Sequence, residues 1–175
     1  MSAPIWDEFA ELALTRIKAS GAEYGDIRLL DSMTQTIRGE DRRIASIRET
    51  QDRGFGIRVL YHGAWGFAAS SVLSLEEVPR VAELAIEIAK GSASLASERV
   101  KLADEPVHRD RVVTAQRIDP FAVGLERKTA LLLETMEYVH RQPGIVRSSA
   151  SLWARQDRKL FVSTEGSRLE FTSLP

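Results

Sequence analysis

At 175 residues and 19.5 kDa the chain has the length of one ordinary domain, enough to bury a core without disulfides or structural metals. A hydrophobic fraction of 43% with 28% charged residues excludes a disordered segment. The 24 basic and 25 acidic residues leave a net charge of −1, which argues against a general affinity for nucleic acid or anionic membrane, both of which need a cationic surface.

Cysteine is absent, so disulfides, thiolate metal sites and cysteine nucleophiles are excluded, and a cytoplasmic setting is expected. No apolar run reaches the ~18 residues of a membrane span, and the N-terminal stretch lacks the basic start and apolar core of an export signal.

The first helix is predicted over about Pro4 to Ser20, with Ser2 as its cap, Pro4 in the first turn and Gly21 as its stop. Ile5, Phe9, Leu12, Ala13 and Ile17 recur at helical spacing and form a stripe for burial. From Tyr24 the period changes to two. Ile27, Leu29, Met33 and Ile37 share one strand face, Gly39-Glu40-Asp41-Arg42 reads as a turn, and Ile44 and Ile47 mark a second strand.

A third strand is predicted over Gly54 to Tyr61 and a fourth over Ala64 to Ser70. His62-Gly63 forms the two-residue turn between them, where glycine supplies positive φ. That turn pairs Val59 with Gly66, Ile57 with Ala68, Leu60 with Trp65 and Arg58 with Phe67. Large residues then oppose small ones, as in a sheet closely covered by a helix. The covering helix is predicted over Leu75 to Lys90, with Ser74 and Glu77 as a capping box and Gly91 as its stop. Its apolar side is Val78, Val81, Ala82, Ala85, Ile86 and Ala89. Gly91 to Gln116 reads as a connection holding a short strand near Arg111 to Ala115.

The pattern then restarts. A helix from Pro120 to Arg141, carrying Phe121, Leu125, Ala130, Leu132, Met136 and Val139, stops at Pro143-Gly144. Strands follow at about Ile145 to Ala154, Lys159 to Ser163 and Ser167 to Thr172. A two-residue turn at Glu165-Gly166 pairs Val162 with Leu169 and Leu160 with Phe171. Sliding the chain until Gln156-Asp157-Arg158-Lys159-Leu160 lies on Glu40-Asp41-Arg42-Arg43-Ile44 also lays this helix on the first one. A duplicated unit is therefore expected.

The expected fold class is α+β: a helix, an antiparallel β-meander and a covering helix, then a second, incomplete helix-plus-meander repeat. One domain, 1–175, divides into a first repeat over about 4–91, a connection over 92–119 and a truncated repeat over about 120–175. The second meander lacks counterparts of the third and fourth strands, so a fragment, or a sheet completed by another segment, is expected.

Reacting groups are scarce. HExxH, GxxxxGK[ST], GxSxG and Rossmann GxGxxG motifs are absent. None of His62, His108 and His140 has another histidine at clamp spacing; they read as turn, loop and helix-end residues. Glu134 and Glu137 read as surface carboxylates. No catalytic, cofactor-binding or metal-binding residue is assigned.

The densest signal is Arg53-Gly54-Phe55-Gly56-Ile57-Arg58-Val59 followed by Gly63 and Trp65-Gly66-Phe67-Ala68. Its glycines permit turns and close packing. They also offer a peptide or packing surface of Gly54, Gly56, Arg58, Trp65, Gly66 and Phe67, where missing β-carbons admit an extended backbone beside aromatic walls. Arg38, Arg42, Arg43, Arg48, Arg53 and Arg58, interleaved with Glu40, Asp41, Glu49 and Asp52, read as a solvated ion-pair face.

These motifs in this order resemble the N-terminal domain of the TldD/PmbA family, whose members carry the label modulator of DNA gyrase and are metallopeptidases. The resemblance rests on Asp26-Ile27-Arg28, Arg53 to Val59, Gly63 to Ala68 and Ser163-Thr164-Glu165-Gly166, and is strongest from Gly21 to Ser71. It implies a zinc-bearing subunit paired with a related metal-free one, forming a homo- or heterodimer that acts on unfolded peptides. The zinc motif belongs to the C-terminal half of such proteins. The resemblance therefore implies a scaffold and substrate-chamber role for these residues, inactive alone. The alternative is a non-enzymatic peptide- or protein-binding module acting through the Gly/Trp hairpin and an open sheet edge. Neither reading involves nucleic acid or membrane.

Overall fold

The structure, a computed structural model, describes residues 3–173, with side chains from Trp6 onward. The Ser2 cap, the Ile5 end of the first stripe and the Leu174-Pro175 terminus fall outside that description. The element order is α1 (Ala3–Ala19), β1 (Tyr24–Glu40), β2 (Arg43–Tyr61), β3 (Ala64–Ser70), α2 (Glu77–Leu95), β4 (Arg109–Val113), α3 (Leu125–His140), β5 (Ser149–Ser163) and β6 (Arg168–Ser173). The strands form one sheet in the order β3-β2-β1-β5-β6-β4. The class is α+β, as expected, and the sheet is mostly antiparallel.

Two compact units share these elements. One comprises Met1–Asp31, Arg53–Val112 and Arg158–Phe171; the other comprises Ser32–Asp52, Val113–Asp157 and Thr172–Pro175.

In the first unit Gly21, at φ +78°, ends α1, its N–H donating to Lys18 O at 3.3 Å. Phe9, Ala13 and Ile17 are buried as the stripe requires, with Trp6 and Ala10 beside them, whereas Leu12 is exposed. They pack with Ile27 and Leu29 of β1, Phe55, Ile57 and Val59 of β2, and the whole predicted apolar side of α2. Each large side chain fully buried here contributes about 1.5–3 kcal/mol.

The β2–β3 hairpin has the predicted turn and register. His62 and Gly63 both have positive φ, at 47° and 75°, and Val59 faces Gly66, Ile57 faces Ala68, Leu60 faces Trp65 and Arg58 faces Phe67. The Ser74 hydroxyl accepts the N–H of Glu77 at 3.3 Å. The other half of the expected capping box does not form, because the Glu77 carboxylate is taken by Arg80, at 2.5 and 2.8 Å. Nor does Gly91 stop α2. The helix runs one further turn to Leu95, and Ser94 Oγ donates back to Gly91 O at 2.7 Å.

Strand boundaries depart further from expectation. The second and third predicted strands are one 19-residue strand, β2. Its stretch from Ala45 to Arg53 is exposed throughout, so hydrophobic alternation vanishes there although the backbone stays paired. The turn before it is only Asp41-Arg42, with φ of 45° and 66°. Such a turn pairs position 23 with position 60, and Glu23 N–H does donate to Leu60 O at 3.0 Å. Gly39 stays in β1, where a β-carbon would stand within 2.3 Å of Met136 Cε.

In the second unit α3 begins at Leu125 after an Asp119 turn whose carboxylate accepts Phe121 N–H at 2.8 Å. Leu132 and Met136 are buried, while Leu125 is exposed. The Asp41 carboxylate accepts Ser148 N–H at 3.0 Å and its own N–H donates to Ser148 O at 2.9 Å. The Ser148 bond, with the Arg147, His140 and Arg43 charges, holds this carboxyl below the usual carboxylate range, against the weaker pull of burial.

The predicted strands at Ile145–Ala154 and Lys159–Ser163 are also continuous, as β5. The β5–β6 loop has three residues rather than two. Gly166 alone has positive φ, at 98°, Gly166 N–H donates to Ser163 O, and Ser163 N–H donates to Ser167 O at 3.0 Å. Ser163 therefore faces Ser167, one residue away from the expected Val162–Leu169 register. The predicted strand near Arg111 exists as β4. It runs parallel to β6, since Arg168 N–H donates to His108 O and Thr114 N–H donates to Thr172 O.

Candidate functional site

The six predicted surface residues fall on two faces of the β2–β3 hairpin. Gly66 faces α2, with Ala64 and Ala68 on its side of β3. Its missing β-carbon lets the helix backbone approach, since a Cβ there would lie 2.0 Å from Ala85 O. Gly54, Gly56, Arg58, Trp65 and Phe67 share the opposite face. Phe67 is 59% exposed, and its ring covers Gly56, where a Cβ would stand 2.9 Å from ring carbon Cε2. A Cβ on Gly54 would stand 2.9 Å from Ser70 O.

Arg58 is the charged centre of that second face. Alternation along β1 places Tyr24, Asp26 and Arg28 on one side of the strand. Asp26 is 1% exposed. Its Oδ2 accepts from Arg58 Nε at 2.9 Å and Nη2 at 2.8 Å, and its Oδ1 accepts from Arg28 Nε at 3.0 Å. The Arg58 guanidinium lies 4.4 Å from the Trp65 ring centroid, and Tyr24 meets Trp65 edge to face at 5.9 Å.

Burial, reinforced by the neighbouring Asp26 charge, pushes the Tyr24 phenol up to about 12. Burial is the largest influence on Arg58 and works against its charge, but the hydrogen bonds and charge of Asp26, with those of Tyr24, together raise the guanidinium above its ordinary value. Both Asp26 oxygens are committed and Arg58 is bonded and stacked. The cluster is a fixed strut between strands, with no nucleophile held against a base.

Beside it lies a 410 Å³ cleft lined by Tyr24, Arg58, Pro106, His108, Phe161 and Ser163 among others. The Ser163 hydroxyl is buried and unpartnered among the described residues. In the sequence Asp26-Ile27-Arg28 and Arg58 fall in two separate motifs that nothing local joins. The usable signal was the two-residue turn at Asp41-Arg42, whose register sets position 25 against position 58.

The histidines stand apart in the fold: His62 in the β2–β3 turn, His108 just before β4, and His140 as the last residue of α3. No three histidine, aspartate or glutamate side chains converge as a metal-binding group among the described residues. This donor set does not fit zinc, and no metal step is derived for it. Arginines of the predicted ion-pair face reach acids on other elements: Arg53 meets Asp31 at 3.1 Å, and Arg42 meets Glu137 at 3.7 Å.

Fold and site together define a helix-backed, mostly antiparallel sheet with a buried ion-pair cluster between its first two strands. Residues 25–89 match the family model described as PmbA/TldA metallopeptidase domain 1. Over those residues the chain is similar to the first domain of TldD/PmbA proteins.

A metalloprotease of Methanocaldococcus jannaschii is 29% identical over 148 residues, covering 85% of this chain and 33% of the relative. A metalloprotease of Methanothermobacter thermautotrophicus is 28% identical, covering 85% and 31%. The chain thus spans about a third of the length of the curated relatives it matches. The fold is similar to a solved structure from Bacteroides thetaiotaomicron named as a modulator of DNA gyrase, with TM-score 0.76, 14% identity, and coverage of 96% of this chain and 38% of that one. It is also similar to TldE from Thermococcus kodakarensis, with TM-score 0.63, 15% identity, and coverage of 93% and 37%. No helix among the described residues is long and apolar enough to cross a membrane.

Proposed function

We propose that these residues form the N-terminal scaffold and substrate-chamber domain, 1–175, of a TldD/PmbA-type zinc metallopeptidase acting on unfolded peptides, with the metal carried outside them. The observation that carries this reading is the match of residues 25–89 to the family's first domain, on a chain equal to a third of its metalloprotease relatives. The domain works beside a family-related subunit, in a cytoplasmic homo- or heterodimer, and helix-plus-meander duplication organises its sequence. In the whole enzyme, bound zinc would polarise the peptide carbonyl and activate water. This chain's contribution is walls: a rigid hairpin face held by the Asp26–Arg58 strut.

The test is zinc-supplemented cleavage of a fluorescent unfolded casein, with and without chelator. The 175-residue chain alone is expected to show no chelator-sensitive cleavage; sustained zinc-dependent turnover by it would overturn the division of labour. The second reading, a non-enzymatic peptide-binding module, draws on the exposed Phe67 of edge strand β3. It requires peptide capture by this chain alone that Phe67→Ala abolishes.

A further inference from the structure

The second unit holds a buried cation with no carboxylate bonded directly to it among the described residues; the nearest link to one runs through Gln35, whose Nε2 donates to Glu49 Oε2 at 3.0 Å. Lys128, on the inward side of α3, is 4% exposed. Its partners are neutral: Nζ donates to Gln35 Oε1 and stands 5.8 Å from the Phe121 ring centroid. An ammonium offers three donors and a full charge, and a buried one is ordinarily matched by a carboxylate. Among the described residues no carboxylate pairs with this one.

The same lysine lines a cavity of 940 Å³ whose walls include Ile118, Val123, Leu131 and Trp153. Ile118 is 71% exposed, and Leu131 and Trp153 are each 56% exposed. Large apolar side chains gathered around a cavity, with a few polar groups converging on it, are the usual form of a small-ligand site. Arg127 also lines it, and so does one acid, Glu134, almost two turns further along α3. Two cations against one anion leave the Lys128 end positive.

We propose that this cavity binds an organic carboxylate with an apolar body, its carboxylate on Lys128 Nζ and its body against Trp153 and Leu131. A single negative charge suits one unmatched ammonium. A phosphate dianion would need more donors than Lys128 and Arg127 supply and would meet Glu134. Two sources carry the required chemistry: the C-terminal residue of a peptide ending in an apolar side chain, and a free aliphatic acid. The proposal does not depend on the peptidase reading.

Calorimetric titration of the full chain tests it with three probes: acetyl-Ala-Leu-Phe as the free acid, the same peptide as its C-terminal amide, and decanoate. At least one acid is expected to bind. If the peptide acid does, it binds about tenfold or more tighter than the amide, because the amide lacks the charge that Lys128 is left to match. Lys128→Met, of similar length but neutral, should lower acid affinity about as much. Trp153→Ala should weaken whichever acid binds.

Binding of the peptide acid alone assigns the site to peptide ends, and binding of decanoate alone assigns it to free acids; both results support a carboxylate site. Equal affinity for peptide acid and amide, acid binding unchanged by Lys128→Met in a folded variant, or no acid bound at millimolar concentration would overturn it. The acid–amide comparison uses the unaltered chain, so it decides for the peptide even if a variant fails to fold.

Discussion

Three glycines should respond to the same substitution in three different ways. A β-carbon on Gly66 would stand 2.0 Å from Ala85 O and 2.4 Å from Ala89 N. Both atoms are helix backbone and cannot rotate aside, so α2 must lift by roughly an ångström or more to restore ordinary contact. Lifting it loosens Val81, Ala82, Ala85, Ile86 and Ala89, all at most 1% exposed. Overpacking costs about 1–3 kcal/mol where side chains can yield; an immovable backbone puts Gly66→Ala near the top, at about 3 kcal/mol. For a chain of this length that is a fall of about 6–12 °C in Tm.

At Gly56 the clash is with the exposed Phe67 ring, 2.9 and 3.0 Å away. The ring can turn, so the cost there should be about 1 kcal/mol or less. At Gly91 nothing lies within 4 Å and the position is inside α2, so alanine should stabilise by about 0.5–1 kcal/mol. Urea unfolding followed by circular dichroism measures all three. A Gly66→Ala protein within about 0.5 kcal/mol of the parent, or one indistinguishable from Gly56→Ala, would refute the close-approach argument.

Asp26→Asn should cost about 3 kcal/mol, the low end for breaking a buried ion pair, because the Arg58 side chain is 38% exposed. A cycle with Arg58→Met should show strong coupling, and additive losses would contradict the strut. The hydrogen bonds from Arg80 and then Ser70 hold the Glu77 carboxyl down to about 2, from an ordinary 4.5. Its contribution is therefore whole above pH 4.5 and is lost as pH falls toward 2. The Tm gap between parent and Glu77→Gln should close over that interval, and a gap independent of pH would refute the assignment. Tyr24, raised from 10.0 to about 12, contributes stability that is lost as pH rises between those values. Phenolate absorbance should show one of the three tyrosines ionising near 12, a step missing in Tyr24→Phe. Arg42 has φ of 66°, so Arg42→Gly should raise stability by about 0.5–1 kcal/mol; a loss in urea unfolding would mean that its contact with Glu137 matters more than its backbone.

Where burial is one-sided the fold could be read directly. The β2–β3 hairpin is an example: His62-Gly63 announced its turn, and large-against-small pairing announced α2. The same approach divided β2 and β5 too early, because it treated loss of alternation as loss of strand. Between Ala45 and Arg53 the side chains are exposed, so no hydrophobic period survives to report a ladder carried by the backbone. Gly91 misled for a related reason. Glycine permits a helix stop without requiring one, and here φ stays negative while the chain continues to Leu95.

The charged sites were hidden by a different limit. Asp26 and Arg58 are far apart in sequence, and alternation labels each as a polar residue on a solvent face. Only the register of a hairpin closed at Asp41-Arg42 brings them onto neighbouring strands, where Trp65 and Tyr24 wall them in. Lys128 is the sharper case, since a helical wheel assigns a lysine to water, yet it is buried on the same helix as the exposed Leu125 and Leu131. That inversion is what a ligand site on this helix would leave: an apolar side chain in solvent and a cation taken from it. They are reconciled if the cavity that both Lys128 and Leu131 line is occupied, its apolar wall covered and its charge matched by one ligand.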